Sequence, residues 1–299
     1  MTPGRPPPRQ PALHAALVGR LAGVCGRYAA SRRPEDLVEE FEIEETEGPG
    51  PGADPAGLEA DFNVAPTKQA PVVLERAAGD VPASPVRRLR LLRWGLVPSW
   101  AKDASVGNRM INARAETLLD KPAYRRAALA RRCLVPADGW YEWQLSPTEK
   151  DAKGKPRKQP FFVRPQAEGS PIAFAGLYEL WRDKQLDDDD QGAWLASFVI
   201  VTTAAEPGLP AVHDRMPLVL PPDRWTAWLD PGERDADTVR ALLAPSEPGR
   251  FVAVPVSTRV NAVGNNGPHL LDEVPREQLR GVLDPRTGEL IGAGDAPLF

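Results

Sequence analysis

Cysteine is scarce in this sequence: Cys25 and Cys133 are the only two in 299 residues, and they stand far apart. That spacing excludes a disulfide framework and a cysteine-built metal cluster, and it fits a reducing cytosol. Histidine is scarce too, with three residues. No run of about 18 apolar residues occurs, so no transmembrane helix is predicted. The opening "MTPGRPPPRQPALHAALVGRLAG" is broken by His14 and Arg20 and builds no apolar signal-peptide segment. Charge of one sign is lacking as well. Lys and Arg total 37 against 41 Asp and Glu, a net charge of −4, which excludes a bulk basic field. Any nucleic-acid binding then needs a local basic face. There is no βαβ rhythm and no internal repeat, which argues against a doubly wound sheet or a solenoid.

What is present is a chain of ordinary globular make-up, 42% hydrophobic and 26% charged, long enough for a sizeable core. Residues 1–24 crowd proline and glycine and read as an extension outside the fold. "SRRPEDLVEEFEI" (31–43) reads as a helix with Leu37, Val38 and Phe41 on one face, and 44–60 as an acidic Gly/Pro loop. "APVVLERA" and "VRRLRLLRWGLVP" read as strands. A helix falls within 112–132. "CLVPADGWYEWQL" (133–145) reads as strand, turn at Gly139 and strand, followed by a long basic loop over 146–160. "FFVRP", "PIAFAGLYELW", "WLASFVIVTTAA" and "FVAVPVS" are further strands, with an acidic loop at 182–192. "PPDRWTAWLD" and "DADTVRALL" are short helices. The sum is an α+β single domain with a mainly antiparallel β core flanked by short helices, spanning 25–275, with a loosely held tail over 276–299.

Four stretches set polar groups in apolar or Gly/Pro-rich surroundings: "VCGRY", "INARAET", "GWYEW" and "VHDRMP". Glu142 stands between Tyr141 and Trp143, with Trp140 before them. Strand alternation sends it either to solvent or against the rings, and in the second case desolvation raises its pKa toward a useful range for proton transfer. His213 is either a structural histidine or a strand-end acid/base whose ring Asp214 orients. Asn112 and Arg114 share one strand face; that face is a polar edge, or the pair serves a hydrogen bond and a phosphate. Cys25 alone is a small buried hydrophobe; with an Asn, a Glu and a His it becomes a candidate nucleophile.

These residues lie in stretches that resemble the SOS response-associated peptidase (SRAP) family, the abasic-site processing proteins. The matching stretches are "CGRYA" (25–29), "FNVAPT" (62–67), "RWGLVPSWAKD" (93–103), "INARAET" (111–117), "CLVPADGWYEW" (133–143), "PFFV" (160–163), "AGLYELW" (175–181), "FVIVTTAA" (198–205), "HDRMPLVL" (213–220) and "VNAVGNNGP" (260–268). The resemblance implies a protein that crosslinks covalently to abasic sites in single-stranded DNA through an N-terminal cysteine, by a Schiff base and then a thiazolidine. Cys25 matches the reactive cysteine, Asn112 the asparagine that positions it, and Glu142 and His213 the active-site glutamate and histidine. Arg27, Asn63, Trp94, Trp100 and Arg114 fall in stretches the family uses around DNA. Arg215 is a further phosphate candidate, and Trp140 a further stacking candidate. The implied partner is single-stranded DNA, with no cofactor, no metal and no membrane, in a cytoplasmic, nucleoid-associated monomer. The alternative is a cysteine-dependent peptidase or autoprotease using Cys25 and His213, in which Asn112 serves a papain-like triad.

One departure carries a chemical consequence. The family motif begins Met-Cys-Gly-Arg, and here Val24 precedes Cys25. A GTG codon reads as valine internally and as methionine at initiation, so translation from codon 24 is expected to yield a chain whose first residue is Cys25. The rival expectation is a genuine extension that is cleaved or inhibitory. An amide nitrogen at Cys25 cannot close a thiazolidine.

Overall fold

The computed structural model describes residues 25–47, 58–77, 85–167, 169–170, 172–187 and 189–292; the expected extension over 1–24 lies outside them. The first strands are β1 (Arg27–Ala30), β2 (Glu45–Glu47), β3 (Asp61–Val64), β4 (Gln69–Ala77), β5 (Pro85–Trp94), β6 (Asn112–Arg114), β7 (Arg132–Ala137) and β8 (Gly139–Lys150). They are followed by β9 (Pro156–Pro165), β10 (Ile172–Arg182), β11 (Trp194–Ala204), β12 (Arg215–Pro217), β13 (Val219–Leu220), β14 (Phe251–Pro255), β15 (Val282–Leu283) and β16 (Leu290–Ile291). The helices are α1 (Pro34–Glu40), α2 (Pro122–Ala130), α3 (Trp225–Leu229) and α4 (Ala236–Leu242).

One sheet runs β14-β9-β8-β1-β3 and is antiparallel throughout. The other runs β12-β11-β10-β7-β4-β5-β2. Arg93 and Trp94 of β5 pair in parallel with Ser197 and Phe198 of β11, so the path β11-β10-β7-β4-β5 returns to its start as a small barrel. The mainly antiparallel α+β reading of the sequence matches this architecture.

Alternation along the strands divides the interior. Phe174, Phe198, Ile200, Trp94 and Cys133 face a core shared with Tyr28, Trp140, Phe161 and Val163 of the first sheet. Ala173, Ala175, Leu177, Val199 and Val201 face a second core under the helices, against Leu37, Tyr124, Trp225, Trp228 and Val239. With both faces covered, β10 and β11 read as continuous apolar runs rather than alternating ones. Arg132, 3% exposed on β7, donates to the carbonyls of Ala128, Trp228, Asp230 and Glu233 and so ties α2 and α3 to the sheet.

Three local expectations change. The basic loop expected over 146–160 shrinks to 151–155, because β8 and β9 keep pairing past a bulge as far as Lys150 and Pro156. Gly139 opens β8 instead of making a turn: a Cβ there would lie 2.3 Å from the Val163 carbonyl oxygen and 2.5 Å from the Phe162 ring. The tail is not loose over 276–292. Leu279 and Val282 are 3% and 1% exposed in the inter-sheet core, and β15 pairs with β16. Burying apolar side chains there stabilises the segment by about 1.5–3 kcal/mol each.

Candidate active site

Cys25 lies two residues before the start of β1, and β1 pairs with β8 in the register Arg27↔Tyr141 and Tyr28↔Trp140. That pairing carries Cys25 to Glu142 across the chain. The Cys25 N–H donates to Glu142 Oε1 at 2.7 Å. Along β8, Trp140, Glu142 and Gln144 share one face by strand alternation, and all three are buried, at 1%, 3% and 3% exposure. Glu142 therefore faces the space between the sheets, and solvent exposure is excluded. Desolvation raises its pKa to about 8; the Cys25 N–H opposes that rise and the charge on Asp214 adds to it.

The Cys25 thiol is fully buried, and burial, reinforced by the negative charge of Glu142, pushes its pKa well above the ordinary thiol value. A resting thiolate is disfavoured. Cys25 also has φ +44°, in the left-handed region, which costs an L-residue roughly 1–2 kcal/mol. A residue with a free α-amine has no φ and carries no such cost.

Asn112 opens β6, which pairs in parallel with β11 at Ile200. Its Nδ2 donates to the Cys25 carbonyl at 3.4 Å. The carboxylate of Glu142, not the amide of Asn112, takes the Cys25 nitrogen. The phenol of Tyr124 donates to the Asn112 carbonyl at 3.4 Å.

His213 follows a short 3-10 turn, Leu209–Ala211. Its Nδ1 accepts the Arg215 N–H at 3.0 Å, so the proton of the neutral ring sits on Nε2. Burial lowers its pKa, and Asp214, whose Oδ1 lies 3.1 Å from Nδ1, opposes that. The negative charge of Asp214 acts on both Glu142 and His213.

Gln144 escaped the sequence reading. Its Nε2 donates to the carbonyls of Ala211 at 2.9 Å and Leu283 at 2.8 Å, and its Oε1 accepts the Leu283 N–H at 2.7 Å. It thus clamps the turn before His213 and the β15 hairpin onto β8. Its position two residues after Glu142, on the same strand face, was the available signal.

The expected DNA-facing residues divide. Trp100 is 67% exposed and Arg114 is exposed beside Asn112. Trp94 is fully enclosed: its Nε1 donates to the Ile111 carbonyl at 2.9 Å, and its ring meets Tyr28 edge-on at 5.2 Å. Trp140 is likewise a core residue, edge-on to Phe174 and Phe251. Neither offers a face to a base. Asn63 is fully buried, and its Nδ2 donates to the carbonyls of Val260, Ala262 and Asn265. Arg27 donates to Asn63 Oδ1 and the Val260 carbonyl, each at 2.8 Å, and lies 6.0 Å over the Trp143 ring. These two residues shape the loop after β14. Arg215 forks onto Glu116 at 2.6 and 3.0 Å and onto the Thr202 carbonyl at 2.7 Å. That engagement leaves its guanidinium bound within the protein.

Among the described residues no group of three or more His, Cys, Asp or Glu side chains is placed to hold a metal ion. No helix among the described residues is long and apolar enough to cross a membrane.

A buried cysteine whose nitrogen meets a desolvated carboxyl, between an antiparallel sheet and a small barrel, defines a class of proteins that can be recognised by comparison. Residues 24–263 match the model of the SOS response associated peptidase (SRAP) family, and the chain belongs to that family. It is 35% identical over 250 residues to the abasic site processing protein YoaM of Bacillus subtilis, covering 83% of this chain and 98% of that one. It is 29% identical over 285 residues to the abasic site processing protein HMCES of Xenopus tropicalis, covering 86% and 81%. Among solved structures, a protein from Bacteroides thetaiotaomicron shares the fold with a TM-score of 0.66 at 20% identity, over 84% of this chain and 100% of that one. A phage-related protein from Bordetella bronchiseptica aligns with a TM-score of 0.55 at 31% identity, over 78% and 94%.

Proposed function

We propose that this protein processes abasic sites by capturing them covalently in single-stranded DNA, and that the working form begins at Cys25. The observation that carries the reading is the 2.7 Å contact between the Cys25 nitrogen and Glu142 Oε1. In the full chain that nitrogen is the peptide nitrogen after Val24. In a chain beginning at Cys25 it is an α-amine with a pKa near 8, neutral in useful fraction at pH 7.

The amine attacks first. Its lone pair adds to the aldehyde carbon of the opened sugar, and Glu142 relays the amine proton to the new alkoxide, giving the carbinolamine. The hydroxyl then leaves as water with a proton donated by Glu142, giving the protonated imine and a Glu142 carboxylate. The thiol adds last: its sulfur bonds the imine carbon, the C=N π pair returns to nitrogen, the thiol proton passes to the Glu142 carboxylate, and a neutral five-membered thiazolidine results. Closure is intramolecular and needs no second encounter. The electrostatics support this order. Burial raises the Glu142 carboxyl and an α-ammonium beside it opposes that rise, which suits a group that takes and returns a proton, whereas burial holds the thiol protonated until a cationic imine forms beside it. Asn112, on the Cys25 carbonyl, fixes the nucleophile's backbone, and His213 is a second acid/base near the sugar. Exposed Trp100 and Arg114 supply a stacking surface and a phosphate contact.

The same electrostatics favour capture over the peptidase alternative, which needs a thiolate paired with an imidazolium. Intact mass after denaturation tests the proposal. The Cys25-initiated chain is expected to carry an abasic oligonucleotide, and the chain retaining residues 1–24 is expected to carry none. A verified Cys25 amino terminus that forms no adduct overturns the reading.

A further inference from the structure

A cleft of about 560 Å³ opens where the end of β4, the C-terminal end of α2 and the loop after α3 meet. Arg76, Arg126, Arg131 and Arg234 line it, together with the single carboxylate Glu75 and the ring of Tyr178. Two of the nearby acids are paired with arginines. Glu75 Oε1 accepts from Arg87 at 2.9 Å, and Glu179 holds Arg131 at 2.8 Å. Asp230 and Glu233 accept the backbone N–H groups of Gly232 and Asp235, each at 2.7 Å. Among the described residues no carboxylate pairs with Arg76, Arg126 or Arg234.

Three guanidiniums without an ion-pair partner among the described residues gather around one concavity in a chain whose net charge is −4. Like charges gathered there repel, and an anion relieves the repulsion. The planar guanidinium fork matches two phosphate oxygens at once, and several forks around one space suit several phosphates in series. The cleft is separate from the cysteine site. Along β4, Gln69 pairs with Arg93, the residue that meets β11, and Arg76 pairs with Val86. Arg76 therefore lies seven residues, roughly 23 Å of strand, from that seam, whereas Asn112 pairs with β11 beyond it.

We propose that this cleft is a second binding site, for consecutive phosphate groups, carried either by a nucleic-acid backbone or by a free polyphosphate. The test titrates undamaged oligothymidylate and, separately, inorganic tripolyphosphate into the full chain and into the variant Arg76→Gln/Arg126→Gln/Arg234→Gln. All three side chains are exposed, so the fold is expected to survive. Should it not, Arg126→Gln and Arg234→Gln are tested singly. For the oligonucleotide, the variant is expected to lose affinity about tenfold at low salt, and its salt slope to fall by about 2. The matching triple lysine variant keeps the charge and is expected to retain much of the binding. Loss for the oligonucleotide alone assigns the cleft to a nucleic-acid backbone, loss for tripolyphosphate alone assigns it to a free polyphosphate, and loss of both supports a general phosphate site. Wild-type binding of both probes by the glutamine variant overturns the proposal. Neither probe reacts with Cys25, so the outcome is independent of covalent capture.

Discussion

Replacing Glu142 by glutamine removes one ionisable group from the space between the sheets and keeps an acceptor for the Cys25 N–H. In the folded chain this carboxyl titrates at about 8 instead of 4.5, chiefly because it is desolvated. The folded state therefore holds a proton that the unfolded state has lost. The contribution to stability is complete below about pH 4.5 and is lost as pH rises toward about 8, where folded Glu142 ionises too. At about 1.4 kcal/mol per pH unit, the loss across that window is up to about 5 kcal/mol. Glutamine does not titrate, so the stability of Glu142→Gln relative to wild type is expected to climb with pH by that order. Urea denaturation followed by tryptophan fluorescence, from about pH 4 to about pH 9, measures it; subtracting wild type from variant cancels the other titrating groups. In the chain that begins at Cys25, the α-ammonium sits against the same oxygen and favours the carboxylate, so the climb is expected to be smaller. A wild-type/variant difference flat to within about 1 kcal/mol in the full chain would refute a buried, proton-holding Glu142, and with it the proton-carrier role.

Gln144→Leu leaves the Ala211 and Leu283 carbonyls and the Leu283 N–H without their partner, which is expected to cost about 3 kcal/mol and to slow covalent capture by freeing the turn before His213. Lost stability with an unchanged capture rate in the folded fraction would remove Gln144 from the site. Trp94→Ala is expected to cost about 3–5 kcal/mol in denaturation experiments, because it empties a fully enclosed core position. Trp100→Ala is expected to leave stability unchanged within about 0.5 kcal/mol while weakening single-strand binding, read by fluorescence anisotropy, by about 1–3 kcal/mol. Equal stability losses at the two tryptophans would contradict the burial of one and the exposure of the other. Tyr28→Phe is expected to be neutral or to stabilise by about 1 kcal/mol, because the buried hydroxyl has no hydrogen-bond partner; destabilisation of that size would reveal a partner.

Much of this protein is written locally. Clustered β-branched and aromatic residues with turn residues between them announce the strands, and the spacing of Leu37, Val38 and Phe41 announces α1, because side-chain periodicity is a property of a few neighbouring residues. Matching stretches single out Cys25, Asn112, Glu142 and His213 by residue type. What they do to one another is not local. Cys25 meets Glu142 across 117 positions only because β1 pairs with β8, and Asn112 reaches the Cys25 carbonyl only because β6 pairs with β11. Trp94 and Trp100 stand six positions apart and have opposite fates, since barrel closure encloses one and leaves the other on a loop. Covering both faces of β10 and β11 erased the alternation that marks an outer face, and β16 packs beside residues far earlier in the chain. Residue types and short-range periodicity therefore determined which elements form and which groups carry the chemistry. Strand pairing between distant segments decided burial, partners and pKa, because desolvation and hydrogen bonding exist only once those segments meet.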